Sequence, residues 1–174
     1  PAAIDEVKMV LYTSGTTGKP KGVMHTHRSI ASLIEFTGEF WGLTPADVSL
    51  VPSPVGHIGG SMYAFDFPLQ LGVCAVLMER WNADAAIDLI EAEGVSFCAG
   101  ATPFLVDLLA AAERRGSALI PLRRFICGGA SVPPTLIERA AARFTQCVVS
   151  RAYGSTELPV ICAGIRSRDD AHHG

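Results

Sequence analysis

Apolar runs of strand length alternate with stretches of helical period along the 174 residues, a rhythm that predicts a mainly parallel sheet with covering helices. Val7 to Thr13 reads as the first strand. A polar, glycine-rich turn from Ser14 to Gly22 follows, then a short extended piece at Val23 to His25 and a helix from Arg28 to Phe40. Thr44 to Asp47 reads as a turn and Val48 to Val51 as a strand. The Pro- and Gly-rich loop Pro52 to Gly60 leads into a helix reaching Leu71, and Val73 to Met78 is the next strand. Asn82 suits the cap of a helix running through Glu93. Ser96 to Ala99 is a strand, and Thr102-Pro103 opens a helix that ends near Gly116. Arg124 to Cys127, Pro133 to Phe144 and Cys147 to Ala152 repeat strand, helix, strand. A last apolar run, Leu158 to Ile165, precedes a polar tail in which nothing resembles a closing helix or strand, so the natural chain is expected to continue.

Composition narrows this picture. With 49% hydrophobic and 18% charged residues the chain is globular rather than disordered. The mean hydropathy of +0.32 is high, yet Asp, Glu, Arg or Gly interrupts every run before it reaches membrane-spanning length. The surplus apolarity is expected in the core or on a face awaiting a partner, which favours self-association. A net charge of -3 with scattered basic residues gives no stripe for a phosphate backbone, so nucleic acid is not an expected partner. Cys74, Cys98, Cys127, Cys147 and Cys162 form no CxxC pair and read as reduced core thiols. Those thiols, with an N-terminus lacking a secretory pattern, point to the cytoplasm.

The candidate chemistry begins after the first strand. Tyr12-Thr-Ser-Gly-Thr-Thr-Gly-Lys-Pro-Lys-Gly22 packs four hydroxyls (Thr13, Ser14, Thr16, Thr17), glycines at 15, 18 and 22, and two lysines around Pro20. Glycines let backbone N–H groups approach anionic oxygens, hydroxyls add donors, and lysine adds a mobile charge, so the loop suits polyphosphate. It is not a Walker loop: Pro20 follows Gly18-Lys19, and Thr13 stands five residues before Gly18. The plain alternative is a surface turn rich in Ser, Thr and Gly.

The same segment closely resembles the signature loop of the adenylate-forming (AMP-binding) superfamily, which includes acyl-CoA synthetases, firefly-type luciferases and peptide-synthetase adenylation domains. The resemblance implies that Thr13, Ser14, Gly15, Thr16, Thr17, Gly18 and Lys21 contact the phosphates of ATP. Arg151-Ala-Tyr-Gly-Ser-Thr-Glu157 resembles the family segment in which an aromatic ring stacks on adenine, a threonine meets the α-phosphate and a glutamate holds magnesium. Those roles fall to Tyr153, Thr156 and Glu157, with Gly154 and Ser155 in the cofactor-binding turn. The chemistry is sensible without the resemblance, since a flat ring stacks on a purine and magnesium prefers carboxylate oxygen beside phosphates. A solvated strand exit is the alternative there. Gly128-Gly129-Ala130 resembles the family turn where backbone runs beside adenine and the acyl group, the alternative being a helix-entry turn before Pro133.

Pro52 to Gly60 resembles the loop where the acyl-CoA branch places an aromatic residue or histidine, here His57, facing the substrate carboxylate; a structural loop histidine is the alternative. His25 and His27 read as ordinary residues beside a helix start. Amino-acid adenylation domains place an aspartate just after the position of His57, but Ile58 and Gly59 stand here. Asp66, farther along, suits a surface or capping role. An uncharged organic acid is therefore favoured, in a pocket drawn from His57, Gly59, Met62, Ala99, Gly128, Gly129 and Ala152. The run from Met24 to Gly60 resembles ligases of medium-chain or alicyclic acids, including the cyclohexanecarboxylate type.

The resemblance implies a two-step reaction in which ATP adenylates a carboxylate and CoA then takes the acyl group, with Lys21, Thr156, Glu157 and His57 as catalytic residues. ATP, Mg2+ and CoA are the implied cofactors. Residues 1–174 would form the central fragment of the AMP-binding domain. Missing are the family's N-terminal portion, a Thr-Gly-Asp segment, the hinge, and the C-terminal lid domain with its lysine, so the chain alone is expected to be inactive. Rival readings are an amino-acid or aryl-acid adenylation domain loading a carrier protein, a non-catalytic nucleotide-binding module, and a structural α/β protein.

Overall fold

The computed structural model of the protein describes residues 3–14 and 18–173. Its centre is a five-stranded parallel sheet in the order β4-β3-β5-β6-β7, formed by β3 (Val48–Val51), β4 (Cys74–Leu77), β5 (Phe97–Ala101), β6 (Arg124–Gly128) and β7 (Val148–Arg151). The strands read as continuous apolar runs because both faces are covered. In β6, Phe125 and Cys127 point into one core while Ile126, between them, points into the other.

The first core lies under α4 (Ala83–Glu93), α5 (Thr102–Arg115) and α6 (Pro134–Arg143), where Ile87, Ile90, Leu105, Leu108 and Phe144 are buried. Asn82 Oδ1 accepts from the Ala85 amide at 2.9 Å to start α4, as expected for an N-cap. The second core lies under α1 (His27–Trp41) and a continuous helical run made of α2 (Ile58–Ser61), a π-helical turn (Met62–Asp66) and α3 (Phe67–Leu71). Trp41, Tyr63, Phe67 and Phe97 form its aromatic centre, with Trp41 and Phe97 ring centroids 5.5 Å apart. The Trp41 indole N–H donates to the Ala163 carbonyl at 2.9 Å, satisfying the ring's one donor and tying in the chain beyond β7.

One element departs from the parallel rhythm. β1 (Val7–Thr13) and β2 (Lys21–Thr26) form a separate antiparallel hairpin whose turn is the glycine-rich loop. The short extended piece at Val23 to His25 is thus the middle of a longer strand. Part of the surplus apolarity sits on the hairpin's outer face, where Val10, Tyr12 and Met24 are exposed.

Four expectations need correction. Cys98, Cys127 and Cys147 are buried, and burial pushes Cys147 up to about 12, but Cys74 and Cys162 are exposed rather than core thiols. Asp66 is neither a surface nor a capping residue: it is 6% exposed, makes no cap bond, and pairs with Lys8 of β1. Its partner Lys8 stands 58 positions away on β1, a tertiary pairing that lets the carboxylate sit on the buried face. The tail is not without regular structure: a 3-10 turn spans Arg168–His173, and Arg168 donates to the Phe144 and Cys147 carbonyls. His25, the fourth, belongs to the site.

Candidate functional site

In a parallel sheet the loops leaving the C-terminal ends of the strands converge on one edge, where open α/β folds place their ligands. The loop after β3 carries His57, the end of β6 carries Gly128 and the turn beyond it Gly129 and Ala130, and the loop after β7 carries Tyr153 to Glu157. The hairpin joins them through His25. Its Nε2 lies 2.7 Å from the Thr156 carbonyl oxygen, 131 positions along the chain, and the ring is 4% exposed. A carbonyl only accepts, so Nε2 carries the proton. His25 therefore ties the glycine-rich hairpin to the Tyr153–Glu157 segment; the sequence offered no metal-type company around it and so no reason to single it out.

The loop after β7 is sharply folded. Tyr153 N donates to Cys162 O at 3.0 Å and Cys162 N returns to Tyr153 O at 2.9 Å, while Ser155 N donates to Leu158 O at 2.9 Å. Gly154 is required there because a Cβ would stand 2.0 Å from the Pro159 carbonyl oxygen. The Tyr153 ring is 65% exposed, free to stack on a planar ligand. Thr156 is half-buried and Glu157 exposed. Hydrogen bonds from its own backbone N–H and from the Ser155 hydroxyl hold the Glu157 carboxyl below its ordinary range, with a further lowering contribution from the charge of His25. An ionised, exposed carboxylate fits magnesium, which takes one or two carboxylates and fills its octahedron with phosphate and water oxygens. Among the described residues no group of three His, Cys, Asp or Glu forms an all-protein cage.

On the hairpin, Thr13 and Lys21 are register partners at the mouth of the turn, and Ser14, Gly18 and Lys21 are exposed. Gly18 has φ of 83°, left-handed backbone suited to turning amides toward a ligand. Gly15, Thr16 and Thr17 lie outside the described residues. After β6, Gly128 is explained by packing: a Cβ would meet the Ala152 carbonyl oxygen of β7's exit at 2.7 Å. Gly129, at φ 75°, has open space where a Cβ would stand, and Ala130 is exposed beside it.

His57 is exposed and caps α2, its Nδ1 accepting from the Gly59 amide at 3.1 Å, which leaves Nε2 as the outward N–H. Gly60 beneath it has no room for a side chain, since a Cβ would lie 2.0 Å from the Pro54 carbonyl oxygen. Of the other pocket residues, Met62 and Ala99 are buried together in the second core, while Gly59 and Ala152 are half-buried. A surface groove lined by Trp41, Ser96, Arg123, Arg124 and Val148 lies at the opposite, N-terminal end of the strands, away from these loops. Among the described residues no helix is long and apolar enough to cross a membrane.

Comparison with known proteins gives the family. The profile of the AMP-binding enzyme family matches residues 1–174. The medium-chain fatty-acid–CoA ligase of Escherichia coli K12 is 37% identical over 153 residues, covering 88% of this chain and 27% of the ligase. The 3-methylmercaptopropionyl-CoA ligase of Ruegeria pomeroyi is 34% identical over 168 residues, covering 94% of this chain and 30% of that protein. Among solved structures, ATP-bound MatB from Rhodopseudomonas palustris superposes with a TM-score of 0.78 at 28% identity, over 91% of this chain and 31% of MatB. O-succinylbenzoate coenzyme A synthetase from Bacillus subtilis, in complex with ATP and magnesium, gives 0.80 at 28% identity over 89% and 31%. The chain spans roughly a third of the length of these proteins. On the match over its whole length, the chain belongs to the AMP-binding enzyme family.

Proposed function

We propose that the chain is the central part of the nucleotide-binding domain of an AMP-forming acyl-CoA ligase, which activates an uncharged organic acid with ATP and passes the acyl group to CoA. The observation that carries this reading is the junction of the glycine-rich hairpin with the Tyr153–Glu157 loop at the ligand edge of the sheet. In the first step a carboxylate oxygen attacks the α-phosphorus, and the bond from that phosphorus to the bridging oxygen breaks, releasing pyrophosphate. In the second a thiol attacks the acyl carbon, AMP leaves with the original carboxylate oxygen, and the thiol proton passes to solvent.

The residues divide the work by charge and shape. Thr13, Ser14, Gly15, Thr16, Thr17, Gly18 and Lys21 receive the triphosphate, and Thr156 donates to the α-phosphate as charge builds there. Tyr153 stacks on adenine beside Gly128, Gly129 and Ala130, within the turn that Gly154 and Ser155 complete. Glu157 is the residue to hold magnesium, which would neutralise phosphate charge when bound. His57 presents Nε2–H to the carboxylate, with Gly59, Met62, Ala99, Gly128, Gly129 and Ala152 toward the acyl group. The lack of a carboxylate directly after His57 supports an acid without an α-amino group, and the CoA-ligase relatives support CoA as acceptor. The test is carboxylate-dependent ATP–pyrophosphate exchange by the full-length protein over acids of graded size. Exchange with a neutral acid, lost in Lys21→Ala and Glu157→Ala, supports the reading; exchange only with amino acids, or none, overturns it.

A further inference from the structure

Strand β2 alternates its faces: Lys21, Val23 and His25 share one, and Gly22 and Met24 the other. Exposure falls along the first face from exposed Lys21 through half-buried Val23 to buried His25. At a strand rise of about 3.3 Å per residue, His25 lies roughly 13 Å from Lys21 along one rigid element. The other end of its hydrogen bond, Thr156, is near the tip of the loop after β7. That loop's return limb is anchored in the second core by Val160 and Ala163, and its entry and exit are cross-tied at Tyr153 and Cys162. Toward the tip, the Ser155–Leu158 turn is exposed at both ends, and the bond from His25 connects it to the hairpin.

We propose that His25 is a positioning residue: its Nε2–H holds the Thr156 carbonyl so that the Thr156 and Glu157 side chains keep a fixed offset from Lys21 and the phosphate loop. The inference rests on the adenylation reading above. His25 does not touch the reacting atoms; it sets the distance between two halves of a nucleotide site that come from segments 131 residues apart.

The test uses the full-length protein. His25→Leu keeps bulk but removes the donor, and His25→Gln supplies an amide N–H at similar reach. His25→Leu should lower the maximal pyrophosphate-exchange rate about a hundredfold, the scale of a 1 Å misplacement. It should also raise the magnesium concentration needed for half-maximal rate while leaving the KM for the acid unchanged. His25→Gln should recover to within about threefold of wild type. Equal behaviour of the two variants, or a loss expressed in the KM for the acid, overturns the proposal. A measurement on wild type stands even where a variant does not fold: 15N-histidine NMR should show the His25 Nε2–H proton bonded and protected, whereas an Nδ1–H tautomer would overturn it. Absence of exchange in wild type would sink the adenylation reading instead and leave the tautomer test of the latch in force.

Discussion

Gly154→Ala probes the loop that carries the residues proposed to face the nucleotide. The added Cβ would stand 2.0 Å from the Pro159 carbonyl oxygen, 2.5 Å from its carbon and 3.1 Å from the Leu158 oxygen, all backbone atoms with no rotamer to change. Relief requires the two limbs to part by roughly 1 Å or more. The nearest tie, Ser155 N to Leu158 O at 2.9 Å, cannot stretch that far and remain a hydrogen bond. Overpacking costs about 1–3 kcal/mol and the lost bond about 1 kcal/mol more, unless the loop opens locally and leaves the cores intact. In either case Thr156 and Glu157 shift by about 1 Å, which predicts an exchange rate reduced about a hundredfold. The assay is pyrophosphate exchange by the full-length protein, with thermal unfolding alongside. A variant exchanging within twofold of wild type, with an unchanged melting point, would refute the reasoning that this close approach shapes the site.

Other consequences follow from the packing. Gly60→Ala drives a Cβ into the Pro54 carbonyl oxygen, which accepts the His57 amide at 3.0 Å; kcat/KM for the acid should fall at least tenfold, while Gly56→Ala, with open space around it, should match wild type in the same assay. Lys8→Met leaves the Asp66 carboxylate buried without its cation and should cost about 1–3 kcal/mol in urea unfolding, less than a fully buried pair because Lys8 keeps some water contact; adding Asp66→Asn should recover part of the loss. At the far end of the sheet, burial alone would raise the Asp47 carboxyl, but hydrogen bonds from Ser96, the Thr44 amide and Arg123 outweigh it and hold it below 3.8. Its native value is depressed, so the stability it contributes is present above pH 3.8 and lost as pH falls through the native value. Asp47→Asn should flatten the acid limb of a pH–stability curve, and an unchanged limb would contradict this.

The sequence was most legible where local chemistry and periodicity agree. Val7–Thr13, Val48–Val51 and the helix that Asn82 caps through Glu93 stand as expected, because an apolar strand or an N-cap signal carries its own boundary. The hairpin was half hidden: nothing in the 14–22 turn states that Val23 to His25 pairs back on the first strand, since the pairing is a tertiary fact. Asp66 was misplaced because a carboxylate is ordinarily solvated, and its pairing with Lys8, 58 positions away, leaves no mark along the chain. The glycine-rich loop and the Tyr153–Glu157 segment were visible as dense motifs. Their junction was not, because one buried imidazole on one carbonyl leaves no pattern along the chain.

Activation through an acyl-adenylate is the central claim, and the fate of one oxygen atom tests it most directly. When the full-length protein turns over an acid labelled with 18O in its carboxyl group, together with ATP and CoA, the account predicts one 18O atom in the AMP released, because the carboxylate oxygen bonded to the α-phosphorus stays there when the thiol takes the acyl group. Label appearing in inorganic phosphate with ADP as co-product, or AMP formed without label, would contradict it.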